Sequence, residues 1–263
     1  MSSNIHSSAI IEDGAVIGDD VSIGAFCHVG PNVTIGSDSF LHTHVVVAGH
    51  TTIGSRARMF PFASIGHEPQ DLKFGGEVSS LTIGDDCVIR EGVTMNPGTA
   101  GDDGKTVVGN KCVFLANSHV AHDCVIDDGV IFSNGALIAG HCKIGANVIL
   151  GGGAGVHQFC RIGNNAFLGG MAAIESDVIP YGIALGNRAY LGGLNLIGMK
   201  RAGVDRHSIH NARNAFKTLF SSGASVLDAI DLLEPEVGDD PIVKQISDFI
   251  RQSADRPLCM PKT

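Results

Sequence analysis

The chain has 263 residues, enough for one or two domains with a large buried core. Its formal net charge is −9, and with this acidic balance we expect no nucleic-acid partner. There is no apolar run of 18 residues, and the start, Met1–His6, lacks the basic and apolar regions of a signal peptide. We therefore expect a cytoplasmic protein with no membrane span.

A six-residue repeat dominates the chain. A large apolar residue recurs every six positions from Ile5 to Ile65 and from Ile83 to Met95. After a one-residue register shift the series continues from Val108 to Ile174, and a small residue stands four positions after each large one. Glycine often follows the large residue directly, and we expect such a glycine to take a positive φ at a corner. A period of six fits neither an amphipathic helix nor an alternating strand.

This period predicts a parallel β-helix in which three hexapeptides, 18 residues, close one triangular coil. The large residues fill the interior, the small ones relieve crowding at the corners, and coils stack about 4.8 Å apart. The pattern resembles that of known hexapeptide-repeat proteins, and this resemblance implies left-handed coils. The predicted fold class is thus an all-β solenoid plus α, a left-handed parallel β-helix with a C-terminal helical domain.

Two segments interrupt the repeat, at residues 66–80 and 97–105. The interior positions resume at Ile83, 18 residues after Ile65, so we expect the first segment to bulge out as a loop in place of regular wall. Loops that leave a strict solenoid mark the place where function is expected.

The repeat ends near Pro180, and apolar residues at helical spacing follow. They predict three helices, at residues 205–220, 225–233 and 241–252. We assign residues 1–190 to the β-helix with its two loops. Residues 191–263 are assigned to a helical domain that caps one end of the prism.

Seven cysteines raise the question of disulfides or a metal site. Cys124, Cys142 and Cys160 recur at intervals of 18 residues in the small-residue position, so we expect a buried ladder of thiols. The chain has no CxxC pair, and the sequence therefore does not predict a zinc ribbon.

Three histidines outside the interior positions, His122, His141 and His157, are separated by 19 and 16 residues, close to one coil. We expect them to line up near one corner of three successive coils, although the chain has 12 histidines and scattered surface positions are the alternative. Imidazole suits general acid–base catalysis. A contact between the Asp123 carboxylate and the His122 ring would fix the tautomer of that ring.

No GxSxG motif is present, and no cysteine in the repeats has an outward position. Direct attack by a substrate hydroxyl is therefore more plausible than a covalent enzyme intermediate.

Five further motifs lie on this framework: Gln70-Asp71-Leu72-Lys73, His119-Val120-Ala121-His122-Asp123-Cys124, Ala139-Gly140-His141, Val156-His157-Gln158-Phe159 and Gly186-Asn187. On these motifs the chain resembles, over essentially its whole length, the UDP-N-acetylglucosamine O-acyltransferase family, which catalyses the first step of lipid A synthesis.

The resemblance implies a homotrimer with active sites between adjacent prisms and no metal or other cofactor. It implies transfer of an (R)-3-hydroxyacyl group from acyl carrier protein to the 3-position of UDP-N-acetylglucosamine. His122 would be the general base, Asp123 would orient it, and the Gly140 N–H would stabilise the oxyanion.

The resemblance also implies which residues bind substrate. The positions that would hold the nucleotide sugar are Asp71, Lys73, His119, His141, His157, Gln158, Asn195 and Arg201. Gly170 matches the position that helps to set acyl-chain length, where glycine leaves room for a longer chain. Both substrates are anionic, and basic residues concentrate early in the helical domain, where acyl carrier protein could dock: Lys200, Arg201, Arg206, Arg213 and Lys217.

The chain departs from the family pattern at Ala202, where an arginine is expected, and at Ile197, where an acidic residue is expected. We therefore keep open a 3-amino UDP-sugar as acceptor, which would give an amide. A related N-acyltransferase would carry an extra N-terminal domain, whereas this repeat begins at Ile5. A zinc carbonic anhydrase could use His119 and His122 as ligands. A purely structural β-helix would need none of the outward histidines.

Overall fold

The repeats form a triangular prism of three parallel sheets in the computed structural model, which describes residues 4–252 and 256–262. The strands in chain order are β1 Asn4–Ile5, β2 Ile10–Ile11, β3 Val16–Ile17, β4 Ser22–Ile23, β5 His28–Val29, β6 Thr34–Ile35, β7 Phe40–Leu41, β8 Val46–Val47, β9 His50–Ile53, β10 Arg58–Met59, β11 Ser64–Ile65, β12 Ser80–Ile83, β13 Val88–Ile89, β14 Thr94–Met95, β15 Lys105–Val108, β16 Val113–Phe114, β17 His119–Val120, β18 Val125–Ile126, β19 Ile131–Phe132, β20 Leu137–Ile138, β21 Lys143–Ile144, β22 Ile149–Leu150, β23 Gly155–Val156, β24 Arg161–Ile162, β25 Phe167–Leu168, β26 Ala173–Ile174, β27 Gly182–Leu185 and β28 Tyr190–Leu194.

Each coil contributes one strand to each sheet. Sheet A has the order β1-β4-β7-β10-β13-β16-β19-β22-β25-β27-β28, sheet B runs from β2 to β26 in steps of three, and sheet C runs from β3 to β24 in the same way. We name the corners by the sheets that they join. The chain passes the A–B, B–C and C–A corners in turn.

The second residue of almost every two-residue strand points into the prism, as the sequence predicts. These large residues are nearly all buried, and the tilted rings of Phe114 and Phe132 are in contact on the inner face of sheet A, with centroids 4.9 Å apart. The predicted thiol ladder is confirmed, because Cys124, Cys142 and Cys160 are fully buried. Burial raises the pKa of the Cys160 thiol to about 12, so this sulfur stays protonated near neutral pH.

The expectation for the glycines is wrong. Glycines such as Gly36 and Gly84 have no positive φ; an added Cβ there would lie 2.5 Å and 2.7 Å from the backbone of the next coil. They are needed because coils approach closely at the corner. The left-handed φ falls two residues further on, mostly at residues that are not glycine, among them Asp38 and Asp86.

The expectation that the first loop replaces wall is also wrong. Ile53 pairs with Ile83, thirty residues on, so this coil has twelve more residues than the regular coil and loses none of its strands. Ile83 pairs with Val108, which leaves seven extra residues in the next coil. Both insertions leave at the B–C corner, and the sheet C strands that flank them, β9, β12 and β15, have four residues instead of two.

Within the described residues, an antiparallel hairpin and five helices follow the prism. The helices are α1 Leu196–Arg201, α2 Arg206–Ser221, α3 Val226–Asp231, α4 Pro235–Gly238 and α5 Pro241–Arg251. The three predicted helices are confirmed as α2, α3 and α5, and Asp205 caps α2 by accepting from the His207 and Ser208 N–H groups. Helices α1 and α4 were not predicted, because six and four residues are too few for apolar residues to show a helical period. Across the described residues, we find no helix of the length and apolarity that a bilayer crossing requires.

Candidate active site

The His122–Asp123 pair lies on the B–C corner between β17 and β18. Val120 and Cys124 are buried on either side, so the chain turns outward between them. Asp123 takes the left-handed φ of the corner, 57°, and its Oδ2 lies 2.8 Å from His122 Nδ1. The Asp123 side chain is fully buried, whereas that of His122 is 13% exposed. Since Nδ1 is engaged by the carboxylate, Nε2 is the nitrogen that can accept a proton from substrate.

The second loop closes over Asp123. The Thr99 N–H donates to Asp123 Oδ1 at 2.8 Å, and the Thr99 hydroxyl donates to Oδ2 at 2.7 Å. A buried carboxylate needs such donors, since each unpaired oxygen would carry a desolvation penalty. Asp123 thus holds His122 and the loop at once.

His141 occupies the same corner one coil further along. Its ring stands perpendicular to that of His122, with centroids 5.1 Å apart, and stacks on Phe159 at 4.4 Å. Its Nδ1 lies 3.3 Å from Asp102 Oδ2, and its Nε2 lies 3.8 Å from Asp123 Oδ2. Two of the three predicted histidines are therefore in direct contact.

His157 lies at this corner on the following coil, as predicted, and is exposed beside Gln158. Its Nδ1 lies 3.1 Å from the Gln158 carbonyl oxygen. The structure thus brings all three histidines to one corner, with His157 at its far end.

Gly140 lies directly against the His122 ring. An added Cβ would come within 2.5 Å of His122 Cε1 and 2.7 Å of Nε2, so a side chain here would displace the ring. Over residues 4–252 and 256–262, no protein group accepts a hydrogen bond from the Gly140 N–H. An unused donor therefore lies beside the nitrogen that can act as base.

His119 lies on the outer face of sheet B, just before the corner. Its Nδ1 is 2.7 Å from the Thr94 hydroxyl on the neighbouring strand. Burial lowers the pKa of the His119 imidazole; a hydrogen bond with the main chain of Thr94 opposes this, and the nearby His122 adds to it. The His119 ring is therefore biased towards its neutral form, in which it can donate or accept a hydrogen bond.

Asp71 and Lys73 lie in the first loop, residues 66–79. The Lys73 N–H donates to Asp71 Oδ1 at 3.0 Å, and the Lys73 side chain is exposed. Glu77 ties this loop to the second one, because its Oε1 accepts from the Ala100 N–H at 2.9 Å. Both loops leave from the coils that directly precede His122, so these residues share its corner.

Three of the predicted residues lie elsewhere. Gly170 is exposed at the A–B corner, with open space around it apart from the Gly152 carbonyl oxygen. Asn195 and Arg201 line an open cavity of about 710 Å³ against sheet A, and Ile197 and Ala202 line the same cavity. The Asn195 side chain caps α1 by accepting from the Gly198 N–H and donates to the Asn165 carbonyl oxygen. A single chain therefore does not unite these three residues with His122.

A cation could bind between His122, Asp123 and His141, whose candidate ligand atoms lie within 4.8 Å of one another. This set differs from the pair His119 and His122 that the zinc alternative uses.

Sequence reasoning missed Thr99 and Asp102 as contacts of this site. Both lie in the second loop, where the six-residue period is lost, and nothing in the local sequence indicates either contact.

The β-helix of hexapeptide repeats, with a histidine–carboxylate pair at one corner, is consistent with the class of hexapeptide transferases. The model of the bacterial transferase hexapeptide family matches residues 2–37, 14–49 and 105–140. A second model, described as UDP-N-acetylglucosamine O-acyltransferase, domain 2, matches residues 177–259.

Relatives give the particular family. The acyl-[acyl-carrier-protein]–UDP-N-acetylglucosamine O-acyltransferase of Rhizobium johnstonii is 50% identical over 260 residues, 99% of this chain and 96% of the relative. The same-named protein of Brucella ovis is 47% identical over 98% of this chain and 92% of its own. The chain belongs to the acyl-[acyl-carrier-protein]–UDP-N-acetylglucosamine O-acyltransferase family and is an acyltransferase.

Solved structures agree. The UDP-N-acetylglucosamine O-acyltransferase (LpxA) of Moraxella catarrhalis superposes with a TM-score of 0.93 at 42% identity, covering 97% of this chain and 99% of that one. The Arabidopsis UDP-N-acetylglucosamine acyltransferase has a TM-score of 0.86 at 31% identity, covering 97% and 99%. The predicted fold class, a left-handed parallel β-helix with a C-terminal helical part, is confirmed.

Proposed function

We propose that this chain transfers an (R)-3-hydroxyacyl group from acyl carrier protein to the 3-hydroxyl of UDP-N-acetylglucosamine, the first step of lipid A synthesis. The observation that carries the proposal is the 2.8 Å contact between His122 Nδ1 and the buried Asp123 carboxylate. It supports a base on an open corner, with one ring nitrogen fixed and the other facing the acceptor. The names of the relatives supply the two substrates.

In the proposed mechanism, His122 Nε2 takes the proton of the sugar 3-hydroxyl as its oxygen attacks the thioester carbon. The C–S bond then breaks, and the carrier thiol leaves with the proton returned from the imidazolium. No covalent enzyme intermediate forms. The Gly140 N–H donates to the oxyanion of the tetrahedral intermediate, and one such donor contributes about a hundredfold in other acyl transfers.

Substrate recognition is divided between regions. Around the corner, the proposed contacts to the nucleotide sugar come from Asp71, Lys73, His119, His141, His157 and Gln158. Asn195 and Arg201 supply a second set from the sheet A cavity, and Gly170 leaves room for the acyl chain at the A–B corner. Docking of acidic acyl carrier protein on the basic residues of α1 and α2 belongs to the same proposal.

This division supports a homotrimer with sites between adjacent prisms. Residues on different sides of one prism can meet in one site only if a second copy brings them together, and a closed ring does so equally for every copy. Mixing His122→Ala with Arg201→Ala tests this, because mixed oligomers would regain intact sites. Recovery of activity supports shared sites; its absence from verified mixed trimers contradicts them.

A cytoplasmic location is proposed with the function. It is supported by the seven unpaired, buried cysteines, a pattern usual where thiols are kept reduced.

The alternatives gain no support. The relatives named above carry UDP-N-acetylglucosamine in their names, which disfavours the 3-amino acceptor that Ile197 and Ala202 suggested. The relatives named above are acyltransferases, which disfavours the zinc hydratase and the structural β-helix.

The direct test is acyl transfer from a series of (R)-3-hydroxyacyl carrier proteins to UDP-N-acetylglucosamine. Transfer to the hydroxyl sugar would support the proposal and give the chain length. Absence of transfer to this sugar with every carrier would overturn it, and the 3-amino sugar run in parallel would then show whether the acceptor was misassigned.

A further inference from the structure

We propose that Thr99 is a positioning residue of the acyl transfer: it fixes the Asp123 carboxylate, and through it the orientation of the His122 ring. The inference rests on the proposed function and extends its site into the second loop, residues 96–104.

The geometry makes Thr99 the main partner of Asp123 besides His122. Its N–H and hydroxyl bind the two carboxylate oxygens at 2.8 Å and 2.7 Å. The hydroxyl shares Oδ2 with His122 Nδ1, so threonine and histidine donate to the same oxygen. Two bonds to two oxygens prevent the carboxylate from rotating about its last single bond.

Thr99 and Asp123 are both buried, so the hydrogen bonds between them are not exchanged for bonds to water. Thr99 is 3% exposed, and the Asp123 side chain is not exposed at all. Water therefore cannot replace the threonine hydroxyl without opening the loop. Loss of that hydroxyl leaves His122 as the remaining hydrogen-bond partner of Oδ2, with His141 Nε2 3.8 Å away. The Thr99 N–H still binds Oδ1, but Oδ2 is held less firmly against the His122 ring.

The loop itself is held in a defined conformation. An added Cβ at Gly98 would meet the backbone of Gly104 and Lys105, so only glycine fits there. The Asp102 N–H donates to the Thr99 carbonyl oxygen at 3.3 Å, and the Gly101 N–H to the Thr99 hydroxyl at 3.2 Å. Thr99 is thus itself fixed, as a positioning residue must be.

The competing interpretation is that Asp123 merely anchors the loop. The two interpretations differ in kinetics. An anchor acts on loop folding, and hence on stability and on KM for the sugar that the loops bind. A positioning residue acts on the reacting geometry, and hence on kcat.

The test compares Thr99→Val, which removes the hydroxyl but keeps the shape, with Thr99→Ser, which keeps it. Thr106→Val is the matched control, because Thr106 is also buried, follows the same loop and has a hydroxyl with no hydrogen-bond partner among the described residues. We expect Thr99→Val to lower kcat about tenfold with KM for the UDP-sugar nearly unchanged. Thr99→Ser and Thr106→Val should stay close to wild type.

A double-mutant cycle completes the test. In an Asp123→Ala background, Thr99→Val should cause no further loss, because its effect passes through the carboxylate. Wild-type kcat in Thr99→Val, or an equal loss in both backgrounds, would overturn the inference alone. Absence of transfer by the wild type would overturn the proposed function and this role with it. If Thr99→Val does not fold, Thr99→Ala replaces it in the same cycle.

Discussion

The coils before residue 66 and those after residue 80 share one wall but differ at the B–C corner. Both regions have buried large residues in the same register, and both have left-handed residues at their corners. At the position equivalent to Asp123, the first coil carries Gly14, whereas the later coils carry Asp123, His141 and Phe159. We therefore expect the wall to provide stability and the side chains at this corner to provide the chemistry. If so, changes in the two regions should affect different measurements.

The largest expected effect is on catalysis at the corner. His122→Ala should lower kcat/KM about a thousandfold through loss of the general base, while leaving the melting temperature near that of wild type. Steady-state kinetics and thermal unfolding on the same preparation measure both. If the variant keeps more than a tenth of the wild-type activity, His122 is not the general base.

The wall should respond in the opposite way. Phe132→Ala removes a fully buried ring that packs against Phe114, so we expect a loss of about 3–5 kcal/mol in the free energy of unfolding. Activity per folded molecule should be unchanged. Ile131→Ala, at the outward position next to it, is the control and should cost less. A large fall in kcat for Phe132→Ala would show that packing inside the prism also affects catalysis at the corner.

A smaller effect is expected where the two regions meet. The methyl of Gly140→Ala would displace the His122 ring, so kcat should fall about a hundredfold with little change in stability. Gly155→Ala is the control, because its methyl would meet Leu137 at an ordinary 3.7 Å. Similar kinetics for the two variants would show that the ring tolerates the shift.

The smallest effect is a pH dependence of stability. Burial lowers the pKa of His119, so the folded chain resists a proton that the unfolded chain accepts. Stability contributed by the neutral ring is present above the unfolded pKa, about 6.5, and is lost as pH falls below it.

The melting temperature of His119→Gln should therefore fall less between pH 7.5 and pH 5.5 than that of the wild type. The exposed His50→Gln serves as the control and should keep the wild-type decrease. An unchanged decrease in His119→Gln would assign the pH dependence to other groups.

Sequence reasoning reached the parts of the molecule that repeat. A period of six placed the interior residues, the thiol ladder and the common corner of the three histidines, because each coil dictates the next. It failed where contacts are specific to one coil. Thr99 reaches Asp123 through a loop with no period, and nothing in its neighbours along the chain indicates a partner 24 residues away.

The glycine error has a similar origin. Gly36 lies where the next coil is closest. The sequence shows that a glycine is present, but it does not show whether the position needs a positive φ or the absence of a side chain. Asn195 and Arg201 match family positions by resemblance. The motifs do not show on which side of the prism each of these residues lies, so the sequence did not indicate that both are far from His122 within one chain.

The insertions add residues at a corner and remove none from the wall, and this has a consequence for how such enzymes can diversify. A loop that lengthens or shortens leaves the pairing of β9, β12 and β15 intact, since those strands stay in register on both sides. The two loops can thus change in length on an unchanged frame. If they bind substrate as proposed, replacing a loop would change specificity and leave the fold as it is.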